Sequence, residues 1–248
     1  MKTHLEKLNE VYDRFFDELS IDKSTGILAD QNKRFATKIA VGDNYLSCKR
    51  KILFVSLDIG KDEKFVDSGF KINSYQDFEE RKNSVCYQTP MEMNAHIAGT
   101  YGTTLYFLKD DYNWEQEWKI LEESSQFFRG AIKKNWTILP NTLLSNIALV
   151  NFYNFVEIGR ESRTGASDRE LIHRNREISL LIEIINIIKP NVIILQGKSL
   201  RGYFTNEIKS KINTATEIFG GYHPSIFGRR IKYQNPKLYI ENLLLNRI

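Results

Sequence analysis

A histidine, an aspartate and an asparagine are the side chains of this sequence best placed to do chemistry on a ligand. His223 lies between a glycine pair and a proline in the stretch FGGYHPSIFGRR, and a histidine in a fixed turn can face a developing negative charge. Asp58 directly follows an apolar run, so its carboxylate would stand at the end of a strand. Asn146 lies inside another apolar run, where a buried amide needs a hydrogen-bonding partner. Together these three side chains offer a hydrogen-bond donor, a carboxylate and an amide, but they do not indicate which ligand would bind.

Three short apolar runs predict the strands that would hold these residues. They are rich in β-branched and other large apolar side chains and span residues 52–57, 143–152 and 189–197. Helical stretches separate them, and one of these has Ser167 and Glu170 in capping-box spacing at its start. Continuous apolar strands separated by helices are typical of a parallel sheet covered on both faces. We therefore expect a three-layer α/β/α sandwich with a mostly parallel central sheet of about four strands.

The ends of these strands are where a ligand is expected, because ligands of open parallel sheets bind outside the carboxyl ends. Asp58 follows the first run, and Gln196 closes the third. His223 follows one more short apolar segment, ATEIFGGY. Structural alternatives remain for each residue: Asp58 could cap a turn, His223 could bond to backbone, and Asn146 could make a structural hydrogen bond.

Composition and charge limit the classes of protein to which this chain can belong. The chain has 248 residues with 42% hydrophobic and 27% charged side chains, which is typical of a globular protein. Its two cysteines, Cys48 and Cys86, have no metal-ligand spacing, so we expect neither a metal site nor a disulfide framework. Residues 189–248 hold ten Lys or Arg and three Asp or Glu. This basic segment could bind a polyanion, or its charged side chains could simply be solvated at the surface.

The first residues do not have the pattern of a signal peptide, so we expect none. The stretch MKTHLEKLNEVYDRFFDEL is charged throughout and has no apolar core of a signal peptide. No apolar run approaches the roughly 18–20 residues that span a bilayer. We expect a soluble cytoplasmic protein that does not contact a membrane.

Four motifs occur in an order and spacing that resemble the uracil-DNA glycosylase superfamily. The family's G-Q-D-P or G-E-A-P-G type loop corresponds to residues 56–60, and its L-L-x-N strand corresponds to Leu143–Asn146. A K-P-x-V-I-x-x-x-G strand corresponds to residues 189–197, and the H-P-S loop corresponds to residues 223–225. The resemblance implies a uracil-DNA glycosylase-like α/β domain at residues 40–248. Residues 1–39 lie outside the resemblance; their apolar spacing after a Thr3 cap predicts a helix, and we expect them to form an N-terminal helical extension packed on the domain.

The resemblance implies base excision from DNA without a cofactor. Such an enzyme flips an altered base out of the duplex and hydrolyses its bond to the sugar. His223 matches the family histidine that faces the departing base, and Asp58 matches the aspartate that stabilises the sugar cation or orients water. Asn146 matches the amide that recognises the base edge. His96, Ile97 and Tyr101 lie near the place of the residue that stacks on the base.

The loop after the histidine would meet DNA. Ser225 belongs to the H-P-S loop itself, and in the family the side chains beyond it fill the gap that the flipped base leaves. Ile226 or Phe227 would be that wedge, with Arg229 and Arg230 on flanking phosphates. The same four residues could instead belong to the core or to a solvated surface.

The first loop departs from the family pattern. Ser56 and Leu57 replace a glycine and its polar neighbour, Ile59 replaces a proline, and Gly60 stands where uracil-specific members have tyrosine. Two cysteines are too few for the iron–sulfur branches. The expected function is a DNA glycosylase acting on uracil or another altered base. The alternative is an inactive nucleic-acid-binding or interaction module on the same fold.

Overall fold

The computed structural model describes residues 2–28, 34–57, 77–87, 95–110, 115–122, 143–157, 171–213, 215–224 and 236–248. Within these ranges there are seven α-helices and seven strands. The helices are α1 His4–Glu18, α2 Phe78–Cys86, α3 Ala95–Leu108, α4 Glu115–Glu122, α5 Arg174–Ile188, α6 Leu200–Tyr203 and α7 Pro236–Leu244. The strands are β1 Arg34–Ala36, β2 Ala40–Val41, β3 Ile52–Ser56, β4 Ile147–Asn151, β5 Phe155–Glu157, β6 Val192–Gln196 and β7 Glu217–Gly221.

The main sheet has five strands in the order β2-β4-β3-β6-β7. Strands β4, β3, β6 and β7 are parallel to their neighbours, whereas β2 pairs with β4 in the antiparallel direction. Every residue of β3, β4 and β6 is buried, which explains their uninterrupted apolar runs. The expected mostly parallel sheet is thus confirmed, and the antiparallel edge strand β2 adds to the four expected strands.

Helices cover both faces of this sheet. On one face, α1 and α5 pack together with Leu53, Val55 and Ile193 in the larger hydrophobic cluster. On the other face, side chains of α2, α3, α4 and α7 form a second cluster with Phe54 and Ile194. Since alternate residues of each strand point to opposite faces, every strand contributes to both clusters. This arrangement fits a three-layer α/β/α fold.

Helix α1 is part of the larger cluster. It begins with a capping box in which Thr3 and Glu6 bond each other's backbone nitrogens, and it buries an aromatic face that includes Tyr12 and Phe16. The Tyr12 hydroxyl accepts a hydrogen bond of 2.8 Å from the backbone nitrogen of Ile39. The ammonium group of Lys38 lies over the rings of Tyr12 and Phe16 and over that of Phe78 in α2. The N-terminal segment therefore shares its core with the sheet.

None of the helices in the described ranges is long and apolar enough to cross a membrane. The longest of them have 15 residues.

Candidate functional site

A row of polar and small residues crosses the carboxyl edge of the parallel strands. Asn151, Ser56, Gln196 and Gly221 are the last residues of β4, β3, β6 and β7, and the register of the sheet aligns them. Two residues earlier on the same face, the row is entirely apolar; it consists of Leu149, Phe54, Ile194 and Phe219. The polarity of this face is therefore concentrated at the edge where ligands bind to parallel sheets.

Three side chains of this edge form a buried hydrogen-bonded chain. The Ser56 hydroxyl donates to Oε1 of Gln196 over 2.6 Å, and Nε2 of Gln196 donates to Oγ1 of Thr100 in α3 over 2.7 Å. All three residues are at most 1% exposed. Buried polar groups are stable when they are paired in this way, so the chain ties β3 and β6 to the first turns of α3.

Asn151 differs from its neighbours in the row. It is 2% exposed, and its amide nitrogen Nδ2 has no hydrogen-bonding partner among the residues that the structure describes. Leaving a buried donor unpaired costs about 1–3 kcal/mol, and such groups are uncommon in native proteins unless a ligand or water meets them. The unpaired donor lies in the row at the ligand-binding edge, which makes Asn151 the strongest indication of a ligand in the described part of the chain.

His223 lies at the same edge, two residues beyond the end of β7, and is partly buried. Helix α7 fixes the segment that leads to it, because the Tyr239 hydroxyl donates to the Tyr222 carbonyl over 2.9 Å. A side chain at Gly221 would bring its Cβ to 2.8 Å from a methyl of Leu243, so α7 also packs closely on the end of β7. The turn that the sequence predicts around His223 is thus held from one side by α7.

A cation lies over the ring of Tyr222, the residue that precedes this histidine. Lys198 follows β6 by two residues, and its ammonium nitrogen is 4.0 Å from the centre of the Tyr222 ring. The side chain of Lys198 is exposed to solvent, and the Tyr222 ring holds its ammonium group near the carboxyl edge of the sheet. Lys198 is therefore available to an anionic group of a ligand at this edge.

The remaining expected site residues divide into two groups. His96 and Ile97 lie in the first turn of α3, which the Thr100 bond brings to the carboxyl edge; their side chains are outside the described part of the structure. Asp58 comes two residues after Ser56, and it also falls outside the described residues. So do the residues predicted to contact DNA, namely Ser225, Ile226, Phe227, Arg229 and Arg230.

The structure places Asn146 away from the row at the carboxyl edge. This residue ends a 3₁₀ turn, Leu143–Asn146, and directly precedes β4, so it lies at the amino end of the strand, about 16 Å of strand length from Asn151. Its Nδ2 donates to the Leu143 carbonyl over 2.9 Å, and its Oδ1 accepts from the Cys48 thiol over 3.5 Å. Asn146 thus makes structural hydrogen bonds at the amino end of β4, whereas His223 follows the carboxyl end of β7.

The environment of Asn146 explains these bonds. Residues 42–48 pack against the 3₁₀ turn, where Gly42 donates to the Ile147 carbonyl and Asn44 donates to the Ser145 carbonyl. A Cβ at Gly42 would lie 2.1 Å from the Ser145 carbonyl oxygen, so this position requires glycine. The amino end of β4 is thus a tightly packed junction of backbone segments.

The sequence places Gln196 at a strand end but indicates neither Asn151 nor Thr100. Asn151 lies in the same apolar run as Asn146 but near its end, and the position at the carboxyl end of a strand is the signal that distinguishes the two asparagines.

Among the described residues, no three His, Cys, Asp or Glu side chains come together as they would around a metal ion. Burial raises the pKa of the Cys86 thiol to about 12.

Comparison of the sequence with protein-family models and with curated proteins found no match.

Proposed function

We propose that this protein is a DNA glycosylase that hydrolyses the N-glycosidic bond of uracil or another altered base. The observation that carries the proposal is the buried amide nitrogen of Asn151, which has no hydrogen-bonding partner among the described residues. Asn151 lies in one row with Ser56 and Gln196, at the edge where His223 follows β7. A buried amide that both donates and accepts complements the hydrogen-bonding edge of a flipped base. Asn151 takes the recognition role that the sequence had indicated for Asn146.

His223 and Asp58 supply the charge stabilisation in this proposal. As the bond between the base and C1′ of the sugar breaks, its electron pair leaves with the base, whose oxygen becomes negative. His223 donates a hydrogen bond to that oxygen. The carboxylate of Asp58 stabilises the positive charge that develops on the sugar and orients a water molecule, whose oxygen forms the new bond to C1′. The proton that this water loses balances the charge of the departing base.

DNA would approach across the carboxyl edge. Lys198 offers a cation there, and the basic character of residues 189–248 favours a polyanion. Ser225, Ile226, Phe227, Arg229 and Arg230 remain the predicted contacts to the duplex, with the apolar pair in the gap that the base leaves and the arginines on phosphates.

The proposal is tested by base release. The protein is incubated with oligonucleotides that each contain one uracil, hypoxanthine or alkylated base, and abasic products are cleaved with alkali. We expect cleavage of at least one of them by the wild-type protein. We also expect a loss of about 10²-fold or more in rate for Asp58→Asn and for His223→Ala, since each removes stabilisation of a developing charge. The absence of product from all three substrates would reject the enzymatic function.

A second candidate is a nucleic-acid-binding module without catalysis on the same fold. The observation in its favour is Leu57, which stands where the family has a polar residue. A Cβ on Gly197 would lie 3.0 Å from the Leu57 side chain, so this apolar side chain occupies space at the end of β6. Salt-dependent DNA binding without base release, unchanged by Asp58→Asn, would support this candidate.

A further inference from the structure

A cavity of about 290 Å³ lies where α3, α4 and α7 meet. Its apolar wall is formed by two aromatic side chains, Tyr106 and Trp118, and by Ile240 and Leu244 of α7. Trp118 and Ile240 are 5% and 1% exposed, and both belong to the second hydrophobic cluster. Small-molecule sites are concave and mostly apolar with a few polar groups, and this volume is at the lower end of their range. The cavity therefore has the size and the lining for a small ligand.

The cavity is separate from the candidate site at the carboxyl edge. Tyr106 lies six residues after Thr100 in α3, a rise of about 9 Å along the helix. The next residue, Phe107, packs against Arg50, whose guanidinium carbon is 5.2 Å from the ring centre and which precedes β3 at the amino edge. Helix α3 thus runs from the carboxyl edge towards the amino edge. The residues of the row at the carboxyl edge are not among those that line the cavity.

One ammonium group at the cavity has aromatic rings as its neighbours. Lys109 directly follows α3, and its Nζ lies 4.7 Å from the centre of the Tyr106 ring and 5.5 Å from that of the Trp118 ring. The two rings meet edge to face with their centres 5.1 Å apart. Lys109 forms no ion pair with a carboxylate of the described residues. The rings hold its charge at the cavity, where an anionic group of a ligand could pair with it without breaking an existing ion pair.

The other charges at the cavity largely balance one another. Lys119 is paired with Glu115 over 2.8 Å, and both residues line the cavity. The hydrogen bond from Lys119 and, to a smaller extent, the charge of Lys109 lower the pKa of the Glu115 carboxyl, which therefore stays ionised at neutral pH. Lys237 and Glu241 stand one turn apart on α7 and contribute one charge of each sign. Three lysines and two glutamates leave a net charge of +1, which favours an anion over a cation.

We propose that this cavity binds a small aromatic carboxylate, with its ring among Trp118, Ile240 and Leu244 and its carboxylate on Lys109. An aromatic ring gains apolar contacts with the wall and edge-to-face contacts with its two aromatic side chains. The carboxylate accepts a charge-assisted hydrogen bond from the ammonium group. A ligand cation is disfavoured, because Lys109 already occupies the ring faces that would receive it. This site does not depend on the proposed function.

Three probes of similar shape test the charge of the ligand: indole-3-acetate, the neutral indole-3-acetamide and the cationic tryptamine. Each is titrated into the whole chain while the indole N–H signal of Trp118, assigned with Trp118→Phe, is followed by NMR. Lys109→Met removes the ammonium group and keeps an apolar side chain, and Leu244→Trp fills the cavity. Lys7→Met is the matched control, because Lys7 is exposed on α1, which packs on the other face of the sheet.

The wild-type protein and Lys7→Met should bind indole-3-acetate about tenfold more tightly than indole-3-acetamide, the value of one charge-assisted hydrogen bond, and tryptamine more weakly still. Lys109→Met should bind the acetate and the amide with equal affinity, and Leu244→Trp should bind neither. Four results would overturn the inference: no shift of the Trp118 signal at millimolar acetate, tighter binding of tryptamine than of acetate, an acetate preference that Lys109→Met retains, or binding by a folded Leu244→Trp protein. Base release tests the proposed function separately.

Discussion

Asn146 and Asn151 stand at the two ends of strand β4, and their amides have opposite environments. Asn146 precedes the strand and bonds to the Leu143 carbonyl and the Cys48 thiol. Asn151 is the last residue of the strand, is equally enclosed, and its Nδ2 has no partner within the described ranges. The first arrangement stabilises the fold, whereas the second is typical of a group that is kept for a ligand.

Unfolding free energies should distinguish these two asparagines. We expect Asn146→Ala to lower the free energy of unfolding by about 1–3 kcal/mol, because it leaves buried partners unpaired. Asn151→Ala should leave stability unchanged or raise it by a few tenths of a kcal/mol, because it removes a buried donor that has no partner in the described part of the chain. Urea denaturation of the two variants beside the wild type measures both values. A cost for Asn151→Ala as large as that for Asn146→Ala would show that Asn151 has a structural role.

Two glycines should respond in opposite ways to a methyl group. Gly42→Ala would place Cβ 2.1 Å from the Ser145 carbonyl oxygen, where both partners are backbone, so we expect it to destabilise the protein by about 1–3 kcal/mol or more. Gly202 lies in α6, where an added Cβ would meet no atom within 4 Å, and Gly202→Ala should stabilise the helix by about 0.5–1 kcal/mol. Thermal unfolding of both variants tests the prediction, and a stable Gly42→Ala protein would contradict the close approach at the amino end of β4.

The two thiols should be unreactive in the folded protein. Cys48 and Cys86 are buried, and burial raises the pKa of Cys86 to about 12, so the thiolate that reacts with disulfide reagents is scarce below that pH. We expect an aromatic disulfide reagent at about pH 8 to label neither thiol on mixing, and to label both after addition of urea. Immediate labelling of one thiol in the native protein would place that cysteine at the surface.

Lys198 should contribute a phosphate contact if the edge binds DNA. Replacing one phosphate-binding lysine lowers the slope of log affinity against log salt concentration by about 1. We expect Lys198→Ala to show this change in a fluorescence anisotropy titration at several salt concentrations. Lys49 is a control, because it is exposed and precedes β3 at the opposite edge of the sheet. Equal slopes for Lys198→Ala, Lys49→Ala and the wild type would exclude Lys198 from the binding surface.

The strands could be predicted from the sequence because burial on both faces leaves an uninterrupted apolar run. Strands β3 and β6 lie within the expected ranges, and β4 occupies the second half of its run. The antiparallel strand β2 has two residues, too few to give a periodic pattern. Ser167 and Glu170, whose spacing predicts a helix start, lie outside the described residues. Helix α5 begins at Arg174, and near this start the Glu177 carboxylate accepts the backbone N–H groups of His173 and of Asn154, which lies 23 positions away and leaves no local signal.

The sequence indicates an edge of the sheet more readily than the residues that line it. Ligands of parallel sheets bind at the carboxyl ends of the strands, and His223 follows the carboxyl end of β7. The sequence could not distinguish Asn146 from Asn151, because an apolar run does not show where its strand begins, and a shift of five residues moves an asparagine from one edge of the sheet to the other. The bond between Gln196 and Thr100 joins residues 96 positions apart, which no local pattern can indicate.

The measurement that tests the central claim most directly is base release by Asn151→Ala and Asn146→Ala under conditions where both proteins are folded. The substrate is whichever altered-base oligonucleotide the wild-type protein cleaves, and the rate is measured in single turnover. The account predicts that Asn151→Ala loses about 10²-fold or more in rate, in line with the loss of paired hydrogen bonds to the base, while Asn146→Ala retains the wild-type rate per folded molecule. A wild-type protein that cleaves no substrate, or an Asn151→Ala protein that cleaves as fast as the wild type, would contradict it.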